Sequence, residues 1–297
     1  MIRFHPRFGM VSGTGDGGIV MRWPFEADRP EIVTPDAAAV GWLEDAILLT
    51  IDGALWRYSL PDWRPSRFAD GGLNFGACGG RSWAVREYGV TRGQFKGGPL
   101  PTAVADWTPV DAGRDGALFF TLDGVGRVLW ADGAREDLRE AMSPRLAQPD
   151  TLIYLVGDTV KITRSLNSEG MKSYTEMPAQ LEGAKGWPFM PKTGWIGYQM
   201  FDGRTGLVLH RTDDASKGYQ WLDGASTGLY NVDGLVAPDG RCYIGASTGA
   251  GERPEDLRRW SVVLGEGMQT FAHFVPMPGV SEVARIGREF VFGWYQF

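Results

Sequence analysis

A hairpin-turn signal that recurs at nearly constant spacing constrains the fold of this chain more than any other feature of its sequence. Two segments, AILLTIDGALWRYSL from Ala46 and ALFFTLDGVGRVLWA from Ala117, each place Asp-Gly between two β-rich runs. Asp-Gly in that setting is a strong signal of a two-residue type I′ turn, because both central residues of the turn need a positive φ. Each segment therefore predicts a β-hairpin.

The same signal recurs along nearly the whole chain. Asp52 and Asp123 are 71 residues apart, and Tyr88-Gly89 lies midway between them as a further predicted turn. Spacings of 35 or 36 residues extend the series backwards to Asp16 and forwards to Asp158. The series ends with Asp202 and a hairpin gap near Gly249 to Pro254. A period of this size, with about four short strands in each unit, is typical of a β-propeller.

The repeats resemble a β-propeller and are similar in size and rhythm to WD-repeat proteins. The Gly-His and Trp-Asp dipeptides of true WD repeats are missing at the matching places, so the resemblance concerns architecture. It implies an all-β fold with a single propeller domain over residues 1–297. Seven blades is the best count, and six or eight stay open. We expect the strand pair in SEVARIGREFVFGWYQF to join the N-terminal strands in one composite closing blade.

Composition agrees with short strands and tight turns. The 297 residues include 42 glycines and 12 tryptophans, and only AREDLREAM and RPEDLRRW are candidate helices. Tryptophans recur near strand ends, as at Trp56, Trp130 and Trp195, and we expect them to pack between blades; sugar stacking at the rim is the alternative.

The net charge of −6 gives no electrostatic attraction to nucleic acid or to an anionic membrane. The N-terminal MIRFHPRFGMVSG has no apolar run of the length that a signal peptide needs, and no apolar stretch of about 18 residues follows. We therefore expect synthesis in the cytoplasm and no membrane insertion. Cys78 and Cys242 are too few for a disulfide scaffold, and whether they pair stays open.

Two motifs match known binding sites, but the residues around each motif do not fit the site that it suggests. GTGDGG, from Gly13, matches a dinucleotide-binding fingerprint, but a short strand follows it where the helix that binds the pyrophosphate is required. DAGRDG, from Asp111, has Leu122 where a calcium-binding EF-hand needs a bidentate glutamate. A looser calcium site among the Asp-Gly turns is the remaining alternative.

Neither the histidines nor the sialidase-like segment predicts a functional site. His5, His210 and His273 lack zinc-ligand spacing. TGDGGIVM, from Thr14, matches the Asp-box of propeller-forming sialidases at only three positions. No cofactor, metal ligand or catalytic residue is predicted.

The pentapeptide GASTG occurs twice, at Gly224–Gly228 and Gly245–Gly249, and fits the G-x-S-x-G pattern of a hydrolase nucleophile. Ser247 is even followed by Asp256 and then His273 in the chain. No βαβ units precede either copy, however, and duplication suits a recurring loop better than a single nucleophile. We predict that the two copies are neighbouring surface turns of one blade.

The predicted functional region is a set of long late-blade inserts. They carry Trp187, Tyr219 and Trp221, which we predict as binding residues because loops on a regular scaffold carry function and aromatic side chains anchor interfaces. The sequence thus favours a non-enzymatic propeller that binds a protein partner or a glycan, such as a virion component of a phage tail or fibre. A propeller hydrolase or lyase acting on carbohydrate or lactone is the alternative.

Overall fold

In the described part of the computed structural model, every regular element is a β-strand, apart from two short 3-10 turns at Thr102–Val104 and Pro254–Asp256. The described residues form no helix in either candidate segment, because AREDLREAM contributes a strand at Arg135–Leu138 and RPEDLRRW contributes the second 3-10 turn and the start of another strand. Isolated helices of two turns are marginal, whereas pairing in a sheet satisfies the same backbone groups. The structure describes residues 2–264 except 14–17, 71–72, 115, 139–141, 149–150, 157–158, 167–170, 179–187, 202–204, 212–217, 223–228 and 249–252.

The described strands form seven successive antiparallel meanders, with four strands in each of the first six and three in the seventh. The first three meanders comprise β1 (Ile2–His5), β2 (Gly9–Gly13), β3 (Val20–Pro24), β4 (Glu31–Thr34); β5 (Ala37–Leu43), β6 (Ala46–Ile51), β7 (Ala54–Ser59), β8 (Arg64–Ala69); β9 (Leu73–Gly79), β10 (Ser82–Glu87), β11 (Val90–Phe95) and β12 (Gly98–Pro99).

The remaining four meanders repeat the same pattern. They comprise β13 (Thr108–Ala112), β14 (Leu118–Leu122), β15 (Val125–Leu129), β16 (Arg135–Leu138); β17 (Met142–Gln148), β18 (Thr151–Val156), β19 (Thr159–Leu166), β20 (Met171–Pro178); β21 (Phe189–Lys192), β22 (Trp195–Phe201), β23 (Thr205–Arg211), β24 (Gly218–Leu222); β25 (Leu229–Val236), β26 (Arg241–Thr248) and β27 (Leu257–Val263).

The predicted repeat corresponds to one connection of each meander, the one between its second and third strands. The turns at Asp52, Tyr88 and Asp123 lie there. The predicted turn residues Asp16, Asp158 and Asp202 lie outside the described residues, but each falls between a second and a third strand. Local turn chemistry therefore locates the repeat correctly wherever the turn itself is described.

The chain divides into two compact units. The first comprises Met1–Gly13, Met21–Val33 and Ala179–Phe297, so it holds the first, sixth and seventh meanders. The second comprises Thr14–Val20 and Thr34–Pro178, and it holds the second to fifth meanders.

In the second unit, the hydrophobic clusters lie between neighbouring meanders. One cluster joins Leu48 and Leu55 of the second meander to Cys78 and Val85 of the third. The indole of Trp130 is buried in another cluster, which joins the fourth meander to the fifth. Burial between sheets on both faces explains why these strands do not alternate cleanly between apolar and polar residues.

First strands of adjacent meanders in this unit run side by side. β5 and β9 form a parallel pair at Gly41 and Cys78, which joins the second and third meanders into one sheet. A Cβ on Gly79 at the end of β9 would lie 2.1 Å from the carbonyl oxygen of Gly113, just beyond β13. Glycine is required at Gly79 because the two backbones approach too closely for a side chain.

In the first unit, the sixth and seventh meanders share a cluster that contains Trp195. The ring of Phe189 lies where Cβ atoms on Gly197 and Gly234 would stand, at 2.2 and 2.6 Å. Trp130 and Trp195 thus pack between meanders as predicted, whereas Trp56 is only half-buried.

Arg259 of β27 links the seventh meander to residues 23–27, a segment that begins at the end of β3. Its side chain is buried beneath that segment. The guanidinium donates hydrogen bonds to the main-chain carbonyl oxygens of Trp23, Pro24, Phe25 and Ala27, at 3.1, 2.5, 3.1 and 2.9 Å. Four carbonyl acceptors compensate in part for the removal of this charge from water.

Two aromatic rings flank the same guanidinium, Trp23 at 4.7 Å and Tyr243 at 5.5 Å. Burial lowers the pKa of Arg259 to about 10, so the group stays protonated at neutral pH. Burial also raises the pKa of Tyr243 to about 12, helped by the hydroxyl's 2.8 Å hydrogen bond to Asp239 Oδ2. The arrangement resembles a cation-binding aromatic cage that the chain's own arginine already fills, so we assign it a structural role.

The predicted composite closing blade involves the first meander and the C-terminal segment. Four consecutive strands, β1 to β4, make up the first meander. The segment SEVARIGREFVFGWYQF, which we expected to join them, lies outside the described residues.

Candidate functional site

Three described turns between second and third strands have the same backbone geometry, which the third-to-fourth turn at Lys96-Gly97 shares with φ of 53° and 81°. Their central pairs have φ of 51° and 69° at Asp52-Gly53, 46° and 83° at Tyr88-Gly89, and 53° and 75° at Asp123-Gly124. Two successive positive φ values define the predicted type I′ turn. The three turns are equivalent positions of one repeat, so their residues can be compared directly.

Tyr88 departs from the rule that the other two turns obey. Aspartate and asparagine tolerate a positive φ better than other side chains that carry a Cβ. Tyr88 takes the same conformation with a bulky ring, and 78% of the residue is exposed to solvent. Turn chemistry and packing in the described structure therefore give no reason for a tyrosine at this position.

The exposed surface continues beside the turn. Val90, the first residue of β11, is 42% exposed. Arg92, two residues further along, is exposed on the same face of the strand and forms an ion pair with Glu87 at 3.5 Å. Aromatic and arginine side chains are the residues most enriched at protein interfaces.

The segment that leads into β13 lies against this hairpin. The main-chain N–H of Thr91 donates to the carbonyl oxygen of Ala105 at 2.7 Å. The Thr91 hydroxyl and the Arg86 guanidinium both donate to the carbonyl oxygen of Trp107. Asp106, which lies between these two acceptor residues, is exposed beside the turn.

A packed aromatic floor supports the segment. Trp107 is buried, and its ring meets the ring of Phe120 edge-on at 5.5 Å. The guanidinium of Arg127 lies over the Trp107 ring at 5.1 Å. We call the exposed residues Tyr88, Val90, Arg92 and Asp106 the Tyr88 surface. Its backbone is fixed by these contacts, and a preformed surface loses little entropy when it binds.

The predicted binding residues lie in other kinds of element. Tyr219 and Trp221 were predicted in a loop insert, and that prediction is wrong, because both belong to strand β24, opposite Leu209 and Leu207 of β23. The insert seemed long because its sequence contains the fourth strand of the sixth meander. Trp187 lies outside the described residues. A binding role for these three residues stays a prediction.

The predicted placement of the second GASTG copy in a surface turn is wrong. Gly245 to Thr248 belong to β26, where Ser247 is buried and lies between Tyr230 and Leu257 in the sheet. A Cβ on Gly245 would lie 2.2 Å from Met10 Sδ, so close packing explains the glycine. A buried serine within a strand does not match a nucleophile elbow. The first copy lies outside the described residues.

The other motifs also have structural explanations. The fingerprint-like GTGDGG connects β2 to β3, and no helix follows it. Cys78 and Cys242 are both buried and form no disulfide. Within the described ranges, no three His, Cys, Asp or Glu side chains are grouped so as to hold a metal ion.

Sequence reasoning missed Tyr88 although a signal was present. The turn was identified correctly, but its Tyr-Gly was treated as an ordinary variant of Asp-Gly. The informative feature is that Tyr88 occupies a turn position at which the equivalent turns have Asp52 and Asp123, and aspartate tolerates a positive φ better than tyrosine does.

Comparison with known proteins supports the fold. The sequence matches no protein-family model and no curated protein. A chain in the structure of the mitotic checkpoint complex is similar, with a TM-score of 0.53, 10% identity and coverage of 87% of this chain and 88% of that one. Kluyveromyces lactis Hsv2 is also similar, with a TM-score of 0.50, 10% identity and coverage of 88% and 98%. Such neighbours are β-propellers, so the all-β propeller prediction is confirmed.

In the part of the chain that the structure describes, no helix has the length and apolar character needed to cross a bilayer.

Proposed function

We propose that this propeller is a non-enzymatic scaffold that binds a protein partner through the Tyr88 surface. The observation that carries the proposal is Tyr88 itself, a residue that is 78% exposed in a strained turn conformation. When a residue adopts an unfavourable backbone conformation and its side chain makes no stabilising contact in exchange, a functional role is the readiest explanation.

The surroundings of Tyr88 support a protein partner. Val90 and Arg92 extend the surface, and the packed Trp107 floor beneath it holds the backbone in place. An aromatic side chain on a rigid backbone is the usual centre of an interface hot spot. The comparison agrees to the extent that a propeller of this fold is a chain of the mitotic checkpoint complex.

Narrower roles stay predictions from the sequence. Incorporation into a virion, as part of a phage tail or fibre, is predicted only from the lack of a catalytic motif and from the long late-blade inserts in the sequence. Glycan binding through Trp187, Tyr219 and Trp221 is likewise a prediction from the sequence.

Affinity enrichment tests the proposal with a matched pair of variants. Wild type, Tyr88→Asn and Arg81→Ser are used as baits, because asparagine suits the turn and Arg81 is exposed at the opposite end of the same meander. We expect one protein to be enriched by wild type and Arg81→Ser and lost with Tyr88→Asn. That protein is then purified and titrated against all three chains.

A hot-spot tyrosine contributes about 2 kcal/mol, so we expect binding to Tyr88→Asn to be about thirtyfold weaker. Equal affinity of the purified partner for wild type and Tyr88→Asn contradicts the proposal.

A further inference from the structure

The meanders of the second unit have two chemically different ends. Second-to-third turns and the connections from one meander to the next lie at one end of the strands, which we call the Tyr88 end. First-to-second and third-to-fourth connections lie at the other end, which we call the Lys96 end. The parallel contact of β5 with β9, and the approach of Gly79 to Gly113, keep equivalent ends of neighbouring meanders on the same side.

Only acidic residues carry charge in the described connections of the Tyr88 end. These connections, residues 35–36, 52–53, 70, 88–89, 100–107 and 123–124, contain no lysine or arginine. Their charged residues, all exposed, are Asp36, Asp52, Asp70, Asp106 and Asp123.

The Lys96 end has mixed charge. Its described connections include Glu44, Asp45, Asp62 and Asp132, but also Arg81, Lys96 and Arg114. Both ends belong to the same strands. A general excess of acidic residues in the chain therefore does not explain why the described connections of the Tyr88 end lack basic residues while those of the Lys96 end contain them.

Neighbouring arginines neutralise part of the Tyr88 end. Arg67 forms an ion pair with Asp70 at 2.5 Å, and Arg92 forms one with Glu87. Apart from Asp36, on the connection that enters the second meander, the acids that a partner would meet are Asp52, Asp106 and Asp123, with Tyr88 in the meander between the two turn aspartates.

Resting on the proposed function, we propose that the partner presents a segment rich in lysine or arginine to the Tyr88 end. One cation of that segment lies over the exposed ring of Tyr88, and flanking cations meet the carboxylates of Asp52, Asp106 and Asp123. A cation within about 6 Å of an aromatic ring is attracted by the ring's negative face. Acidic groups around the ring raise the local concentration of such a cation and exclude acidic competitors.

Synthetic peptides test the charge preference without the natural partner. The probes are a fluorescent arginine–glycine repeat peptide and its glutamate–glycine counterpart, titrated by fluorescence anisotropy against the full chain. Two triple variants carry the same change in charge. One is Asp52→Asn with Asp106→Asn and Asp123→Asn; the other is Asp45→Asn with Asp62→Asn and Asp132→Asn at the Lys96 end.

We expect the arginine peptide to bind, the glutamate peptide not to bind, and the first triple variant to bind about tenfold more weakly, since each exposed charge contributes roughly a factor of two. The second triple variant is expected to bind like wild type, and Tyr88→Asn about fivefold more weakly, because it loses the contribution of the ring. Circular dichroism of both triple variants checks that they remain folded.

No binding of the arginine peptide, or equal weakening by the two triple variants, overturns this inference. The proposed function fails separately: its failure is a natural partner that binds Tyr88→Asn as tightly as wild type. A partner that needs Tyr88 but binds both triple variants equally leaves the proposed function intact and refutes the basic segment.

Discussion

Removal of the Arg259 guanidinium should destabilise the first unit far more than removal of an exposed arginine. The residue is 5% exposed and belongs to β27, and its four carbonyl acceptors lie at the end of β3 and in the residues just after it. Arg259→Met keeps much of the side-chain length and leaves those acceptors without this donor.

The magnitude follows from two opposed contributions. Hydrogen bonds to a charged group are worth about 1.5–3 kcal/mol each, but burial of the charge has a cost, which appears as the lowered pKa of Arg259. Loss of one partner from a buried charged arrangement typically costs about 3–5 kcal/mol. We expect that loss for Arg259→Met, and about 2 kcal/mol for Arg259→Lys, because an ammonium cannot reproduce the planar fork of donors.

Urea unfolding followed by tryptophan fluorescence measures the loss as a lower midpoint at an unchanged slope. Arg253→Met is the control. Arg253 is 65% exposed and pairs with Asp256 on the surface, so its loss should cost at most about 0.5 kcal/mol. An Arg259→Met midpoint that matches the control would refute the assigned link between the first and seventh meanders.

Three further predictions test the turns, the close approach of strands and the buried phenol. Tyr88→Asn should raise the free energy of unfolding by about 1 kcal/mol, measured from the urea midpoint, because asparagine tolerates the positive φ; an unchanged or lower value would show that the tyrosine is not strained. Gly79→Ala should lose about 2 kcal/mol or more in the same assay, since its Cβ would meet the Gly113 carbonyl oxygen at 2.1 Å, and wild-type stability would refute that approach. The folded-state pKa of Tyr243 is raised from 10.0 to about 12, so its stabilising contribution is complete below pH 10 and is lost as the pH rises to about 12. The difference in unfolding free energy between wild type and Tyr243→Phe should therefore fall over that interval, and a constant difference would contradict the raised pKa.

The repeat could be predicted from the sequence because its signal is local. Two-residue turns with positive φ restrict the residues they accept, so Asp52 and Asp123 mark their hairpins without knowledge of the rest of the fold. The propeller then follows from the spacing of the turns.

The role of individual residues could not be predicted in the same way, because it depends on tertiary neighbours. Gly245 suggested a turn, but its glycine accommodates Met10 from another meander. Trp221 suggested a loop anchor, but its backbone pairs with Leu207 in a sheet. The exposure of Tyr88 could not be predicted from the sequence either. The sequence does show, however, that this repeat has tyrosine at a turn position where two other repeats have aspartate.

Hydrogen–deuterium exchange of the free chain and of its complex with the purified partner tests the central claim most directly. We expect slower exchange in the complex over residues 86–92 and 105–107, where the Tyr88 hairpin meets the adjoining segment. Unchanged exchange there, with protection confined to residues 218–222 around Tyr219 and Trp221, would contradict the proposed surface and support the late-blade prediction instead.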